Sequence, residues 1–496
     1  MDRQDSSNSY SHILKYIGLF GGVQGLNILI GIVRNKLVAT ILGPAGMGLI
    51  SLFNSTISLV SNTTNLGIPM SAVRNISEYY ATDDVEKLSH AVRLVRSWAL
   101  LTALFGMLLC IVLSPILSYW TFGWGNHTLH FVLLSPIVAM LAIIGGEMAI
   151  LKGARQLKKL AAVSVYNVIA ALITSVPIYL FYGESGIVPS LIIMAGCQML
   201  FTIIYSYRLF PLRLSCKRKL LNEGFPMIRI GLAFVGAGIL GSGAEFIIRS
   251  FLNFTSSLDT LGLYTAGYTM TMTYASLVFS AMETDFFPRL STAKDNITER
   301  NLLINRQMEV SLLLVSPILV GFMFALPILT PLLYSTHFLP AQGMMQIMIL
   351  AMFMRAVKLP VSYLPLAKGD SMVYLMLEAI YDITIVVAVI IGFNIGGLTG
   401  CGAAITIVGA LEFFLIIGYA RYKYKYILSS AIKRYMFIQL PIGLTAYLIT
   451  FVESIPVYWI SGVLLTTISA AISYELLRRN SVPLPPIFHR LTKKNQ

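Results

Sequence analysis

Charged side chains are scarce in this sequence: Asp, Glu, Lys and Arg together make up 12% of 496 residues, against 56% apolar ones. Soluble domains carry about 25% charged residues, so with a mean hydropathy of +0.76 the chain reads as a polytopic membrane protein. Cysteine is almost missing as well. Cys110, Cys197, Cys216 and Cys401 stand far apart and mostly within apolar runs, which excludes a disulfide framework and a thiolate metal site. No GxxxxGK[ST] phosphate loop occurs, so ATP hydrolysis by that route is excluded. The six histidines lie in tails, loops and helix starts without partners at metal or triad spacing. The first dozen residues, MDRQDSSNSYSH, are polar and are followed by a long apolar segment without a positively charged n-region or a small-residue cleavage site, so no removable signal peptide is expected.

What the sequence has in abundance is apolar runs of about 20 residues, the length a helix needs to cross a bilayer. They predict about fourteen transmembrane helices, at 13–41, 47–70, 95–118, 129–151, 160–182, 187–207, 228–252, 261–284, 309–333, 342–367, 372–393, 400–420, 434–452 and 456–477. Alternate connections are rich in Lys and Arg, as at Lys152 to Lys159, Arg208 to Lys219, Arg421 to Arg434 and the tail. The intervening ones, around LGPAG, SYWTFGWGNHT, YGESG, NFTSSLDT, YSTHFLPA, FNIGGLTG and VESIP, contain neither. Because cytoplasmic loops retain the positive charges, both termini are expected in the cytoplasm. The formal charge of +14 is then a topology signal facing anionic lipid, and no nucleic-acid partner is needed to explain it. Tyr119, Trp120, Phe122 and Trp124 fit an interfacial aromatic belt.

The chain also repeats itself. GIVRNKLVATILGPAGMGL around Arg34 recurs as FIIRSFLNFTSSLDTLGLY around Arg249, Lys152-Gly153 as Lys368-Gly369, and Gly183 and Gly186 as Gly397 and Gly400. The spacing predicts two six-helix lobes, residues 1–207 and 228–420, joined by a basic linker at 208–227. An extra helix pair at 421–477 and a cytoplasmic tail at 478–496 follow. Six spans per half is an even number, so the halves share one orientation.

LGPAGMGL after a first helix containing Arg34, ILKGARQLKKLA after the fourth helix, LGLYTAGYTMTMTYASLVFSAMETDFFPRLSTAKDNIT around the eighth and LLYSTHFLPAQ before the tenth together resemble the Wzx-type O-antigen and common-antigen flippases. Those belong to the multidrug/oligosaccharidyl-lipid/polysaccharide (MOP) exporter superfamily, with the MATE drug exporters and the lipid II flippase, and the resemblance spans residues 13–420. It implies a V-shaped, MATE-like pair of lobes in the bacterial inner membrane. It further implies transport of undecaprenyl-pyrophosphate-linked oligosaccharide, an O-antigen or other surface-polysaccharide repeat unit, from the cytoplasmic to the periplasmic leaflet by alternating access. Polysaccharide assembly machinery enters as a partner on the same ground. By position, the last two helices resemble the extra pair of the lipid II flippase, where a groove for the lipid tail is implied. The first-helix Arg of that flippase implies a cavity role for Arg34.

A cation at membrane depth is a functional hypothesis by default. Arg249 has Glu245 one turn before it, so that pair can neutralise itself. Arg34 has Ile30 and Gly31 in those places, and Lys36 has Ile32 and Val33. Arg34 is therefore the preferred ligand for a pyrophosphate head, which its fork can grip bidentately, with Lys36 in support. The alternative is that both snorkel to the interface. Gln24 and Asn27 on the first helix, and Asn54, Ser58, Ser61, Asn62 and Asn65 on the second, either line a hydrated cavity or bond between helices. Arg355 and Lys358 add to a cationic cavity or anchor the cytoplasmic side. Glu245, Glu378, Asp382 and Glu412 are the carboxylates available for Na⁺ or H⁺ coupling; no other cofactor or metal is expected. Unpaired charges that are mainly cations favour an anionic lipid-linked substrate over the alternative, a MATE-like exporter of cationic drugs. A glycan polymerase or ligase, the nearest enzyme, typically needs a large periplasmic loop, and the sequence holds none, so no enzyme is expected.

Overall fold

The computed structural model describes residues 3–82, 84–214, 223–274, 279, 286–287 and 289–479; of 3–22, 24, 226, 229–230, 232–234 and 273–274 it describes the backbone alone. Every regular element among the described residues is helical. The helices are α1 (Arg3–Thr64), α2 (Ile68–Ala81), α3 (Val85–Thr121), α4 (Thr128–Gly153), α5 (Leu157–Tyr182), α6 (Ile187–Tyr207) and α7 (Phe225–Thr255). Then come α8 (Leu258–Tyr268), α9 (Ile297–Leu333), α10 (Gln342–Ser362), α11 (Leu364–Lys368), α12 (Ser371–Tyr424), α13 (Ser430–Ile449) and α14 (Ile455–Arg479). Nine helical segments among the described residues are long and apolar enough to cross a membrane. Three of these join two expected spans each: α1 bends at Gly43, α12 bends at Gly396 and Gly397, and α5 runs into α6 through a short 3₁₀ turn. With α13 and the expected eighth span, which lies partly outside the described residues, the architecture is an all-α polytopic one of about fourteen crossings.

The bends carry the internal repeat into the backbone. Gly183, between α5 and α6, has φ 54° and ψ −134°; Gly397, in the elbow of α12, has φ 55° and ψ −138°. These two glycines correspond in the sequence repeat, and a side chain is strongly disfavoured at those angles. Each turn reverses an apolar helix within a few residues.

The chain divides into two compact units, the first running to Gly262 and taking in Leu333–Ser335, the second made of the remainder from Leu263. In unit 1, α7 lies on α1 and α2. Its approach is close because a Cβ at Gly67 would sit 2.4 Å from the carbonyl oxygen of Gly231. At one end α2 docks through Ile68, Ala72 and Ile76 onto Val92 and Val95 of α3 and Ile150 of α4, all fully or nearly buried. At the other end of unit 1, the connections expected to lack Lys and Arg meet one another: residues at 45, 123–124, 184 and 253–259 line one pocket.

In unit 2, α10 packs along α12, and the extra pair is part of the same unit. Gly443 of α13 faces Phe353 of α10, and Gly462 of α14 faces Phe324 of α9. The Tyr458 hydroxyl donates to the Phe324 carbonyl at 3.0 Å. Gln439 joins α13 to α14, donating to Ser473 Oγ at 3.0 Å and accepting from Ser469 Oγ at 2.7 Å. Buried side-chain bonds of this kind hold helices together where burial of apolar surface cannot.

Candidate functional site

Unit 1 places Arg34 in the seam between α1, α5 and α6. On α5 the residues Ser164, Asn167, Ala171, Ser175 and Tyr179 recur every three or four positions, so they share one face. On α1, Asn27 and Arg34 are seven residues apart and share the facing stripe. The Arg34 Nε donates to Ser175 Oγ at 3.0 Å, and an Nη meets Met194 Sδ of α6 at 3.4 Å. Asn27 Nδ2 donates to Ser164 Oγ at 2.9 Å. Along this seam the Asn27 Oδ1, the Asn167 Oδ1 and the hydroxyl of Tyr179 are buried without hydrogen-bond partners. Tyr179 lies within electrostatic reach of Arg34. Every partner of Arg34 among the described residues is neutral, so among them its charge is met by dipoles and not by a carboxylate. Lys36, two residues on, is half-buried; two residues turn a helix by about 200°, so the two cations do not share a face.

The polar stripe after the bend of α1 is open at Asn54 and Ser58 and half-buried at Ser61, Asn62 and Asn65. Asn65 Nδ2 donates to Asn62 Oδ1 at 3.5 Å, and Gly238 of α7 lies against Asn62. The stripe thus mixes exposed polar groups with bonds inside unit 1.

Unit 2 treats its cations differently. Lys358 of α10 forms an ion pair with Glu412 of α12, both largely buried, and its ammonium stands 5.3 Å from the centre of the Tyr381 ring. Arg355 and Glu378 lie within electrostatic reach of that pair, and Asp382 is buried one turn beyond Glu378. Neither α10 cation has an acid on its own helix; the acids arrive from α12, which packs alongside. Lys368 bonds Asp295 at 2.9 Å. Arg249 and Glu245 form the expected pair one turn apart, at 2.6 Å. The side chain of Gln24 lies outside the described residues.

Two buried arginines escaped sequence reasoning. Arg96 of α3, 3% exposed, grips Glu147 of α4 with two bonds of 2.8 and 3.2 Å. It also donates to the Pro211 carbonyl at 3.0 Å and covers the Tyr207 ring at 4.4 Å. Arg300 of α9, 2% exposed, donates to the carbonyls of Lys294 and of Tyr424, the last residue of α12. Each arginine ties the chain leaving a later helix to an earlier one. An Arg and a Glu in neighbouring apolar spans was the signal available for the first; nothing in the sequence marks carbonyl partners for the second.

Between α10, the second arm of α12, and α13 lies a groove of about 620 Å³ with almost wholly apolar walls, including Met354, Phe413, Phe437 and Leu440, and Lys433 at its margin.

The family model for a polysaccharide biosynthesis protein matches residues 13–294. The chain belongs to that family. A search of curated proteins returned no match. Among solved structures, this polysaccharide biosynthesis family member is similar to the lipid II flippase MurJ in an inward closed conformation. The TM-score is 0.70 at 15% identity, covering 92% of this chain and 99% of the other. It is also similar to a MATE family multidrug resistance transporter of the MOP superfamily in an inward-facing conformation, with TM-score 0.67, 15% identity, and 82% and 96% coverage. A MOP superfamily transporter from Pyrococcus furiosus, described as having a binding pocket of reverse polarity, gives TM-score 0.59 at 14% identity, with 84% and 96% coverage. The family member therefore has the fold of the MOP superfamily. The family match includes the Arg34 seam and the Glu245–Arg249 pair, whereas the Lys358 cluster falls beyond it.

Proposed function

We propose that this family member is a flippase that carries a polyprenyl-pyrophosphate-linked oligosaccharide, a surface-polysaccharide repeat unit, from the cytoplasmic to the periplasmic leaflet of the bacterial inner membrane by alternating access. The observation that carries the reading is Arg34. A guanidinium set among apolar helices and met, among the described residues, by Ser175 and Met194, with the Tyr179 hydroxyl within electrostatic reach, keeps its attraction for an anion, because none of these groups is a carboxylate. A pyrophosphate offers two phosphoryl groups in the geometry an Arg fork matches. Asn27, Asn167 and Tyr179 supply further polar atoms along the same seam. The apolar groove at α13 fits a polyprenyl tail. An exporter of cationic drugs calls for uncompensated carboxylates, while in unit 2 Glu412 is already matched by Lys358. Coupling to H⁺ or Na⁺ is then better served by Glu378, with Asp382 one turn further.

The test is glycan delivery in a flippase-deleted bacterial host at equal membrane abundance. Arg34→Ala is expected to reduce delivery at least tenfold and Arg249→Ala to leave it within twofold. Normal delivery by Arg34→Ala would remove the observation on which the reading stands.

A further inference from the structure

At the end of unit 1 whose connections lack Lys and Arg, a pocket of about 510 Å³ opens between four of those connections. Its floor holds Asn253, 5% exposed. The Asn253 Nδ2 donates to the Thr121 carbonyl at 2.9 Å. Because that carbonyl can only accept, the amide orientation is fixed, and the Oδ1 is the atom left buried without a partner. A buried acceptor of this kind calls for a donor.

The rest of the wall suits a polyhydroxylated donor. Trp124 is 53% exposed and packs nearly at right angles to Phe122, at 5.7 Å, and His127, at 4.7 Å, contacts that limit its side-chain freedom while leaving half of its surface open. Glu184 and Asp259 add exposed carboxylate acceptors, and Ser256 and Ser257 line the pocket with hydroxyls. The four connections contain no Lys or Arg, and His127 stays neutral near pH 7 because burial, and then His130, hold its pKa below the ordinary histidine value.

We propose that this pocket is a saccharide subsite for neutral or amino-bearing hexose units, with Trp124 as stacking face and Asn253 Oδ1 as hydroxyl acceptor, and that acidic sugars are rejected by Glu184 and Asp259. It rests on the flippase reading only in assigning these sugars to the transported glycan.

Saturation-transfer NMR on the full chain in nanodiscs tests it, with maltotriose, fully deacetylated chitotriose and trigalacturonate as probes. Saturable binding of maltotriose in the millimolar range is expected, with chitotriose at least as tight and trigalacturonate at least fivefold weaker. Asn253→Leu and Trp124→Ala should each weaken maltotriose at least tenfold, while Tyr119→Ala, at the same end but outside the pocket, should not. Glu184→Gln with Asp259→Asn should restore trigalacturonate to within twofold of maltotriose. Absence of maltotriose and chitotriose binding, or binding unchanged by Asn253→Leu and Trp124→Ala, would overturn the proposal. So would a Trp fluorescence response to MgCl2 that is lost in Asp259→Asn when sugars give none, since that marks a cation site. The assay needs no transport. If sugar binding fails while Arg34-dependent delivery persists, the pocket assignment falls alone; if sugar binding holds and delivery fails, the flippase reading falls alone.

Discussion

Arg34 in unit 1 and Lys358 in unit 2 are both cations held inside apolar helices, yet their surroundings are opposite. Lys358 is matched by Glu412, with Arg355 and Glu378 close enough to share the field. Among the described residues Arg34 bonds a hydroxyl and a thioether, with a phenol within electrostatic reach. The backbone does not explain the difference, since the turns at Gly183 and Gly397 have almost the same dihedral angles. A duplicated scaffold has thus been charged asymmetrically. A matched ion pair holds helices and resists an incoming anion; an unmatched guanidinium among dipoles holds its neighbours weakly and keeps its anion affinity.

The widest gap between the two sites should open in transport. Arg34→Ala is expected to lower glycan delivery at least tenfold with little change in thermal stability, because it removes no partner charge. Lys358→Met should do the reverse at first order. It strands Glu412, and removing one member of a buried pair costs about 3–5 kcal/mol, read as a lower Tm and lower membrane abundance. Lys358→Met with Glu412→Leu should recover most of that loss. If the single Lys358 variant proved as stable as wild type, the contrast between matched and unmatched cations would collapse.

Arg96 and Glu147 sharpen the same comparison inside unit 1. Arg96→Met should destabilise by about 3–5 kcal/mol, and Arg96→Met with Glu147→Leu by much less. Chemical denaturation of the purified protein distinguishes these outcomes. A transport defect in a fully stable Arg96→Met protein would mean that this pair, too, serves the substrate.

The matched turns give a smaller and symmetrical effect. Gly183→Ala and Gly397→Ala meet no atom within 4 Å of the added Cβ, so only the backbone angles are penalised, by about 1–3 kcal/mol each. Equal shifts in Tm are expected. Unequal shifts would show that the two elbows are alike in shape but not in what depends on them.

What the sequence revealed depended on how far apart the partners stand along the chain. Glu245 and Arg249 could be read as a pair because helical spacing alone makes them neighbours. Crossing helices were legible from apolar length, and the elbows from the recurring glycines. Arg96 and Glu147 are 51 residues apart and Arg34 and Ser175 are 141 apart. Those contacts exist only because α3 packs on α4 and α1 on α5, which no local pattern specifies. The lack of a local acid beside Arg34 and Lys358 looked the same in the sequence for both; packing separated them.

The smallest effect concerns the polar end of unit 2. The Tyr424 hydroxyl, then Lys423, hold the Asp370 carboxyl below its ordinary pKa, and Lys368 does so for Asp295. A carboxyl lowered by folding adds stability above its unfolded value near pH 4, and that stability is lost as pH falls through the lower folded value. Wild type should therefore exceed Asp370→Asn slightly in Tm at pH 5 and converge with it as pH falls through the lowered folded value. Both groups are largely solvated, so the difference stays small.

The most direct test of the unmatched-guanidinium claim is the affinity of the purified protein for farnesyl pyrophosphate, with farnesol as the uncharged control. Wild type and Arg249→Ala should bind the pyrophosphate alike and well above farnesol, and Arg34→Ala should bind it at least tenfold more weakly with farnesol unchanged. Equal pyrophosphate affinity in wild type and Arg34→Ala would contradict the account, and the anion would then have to be held elsewhere in the fold.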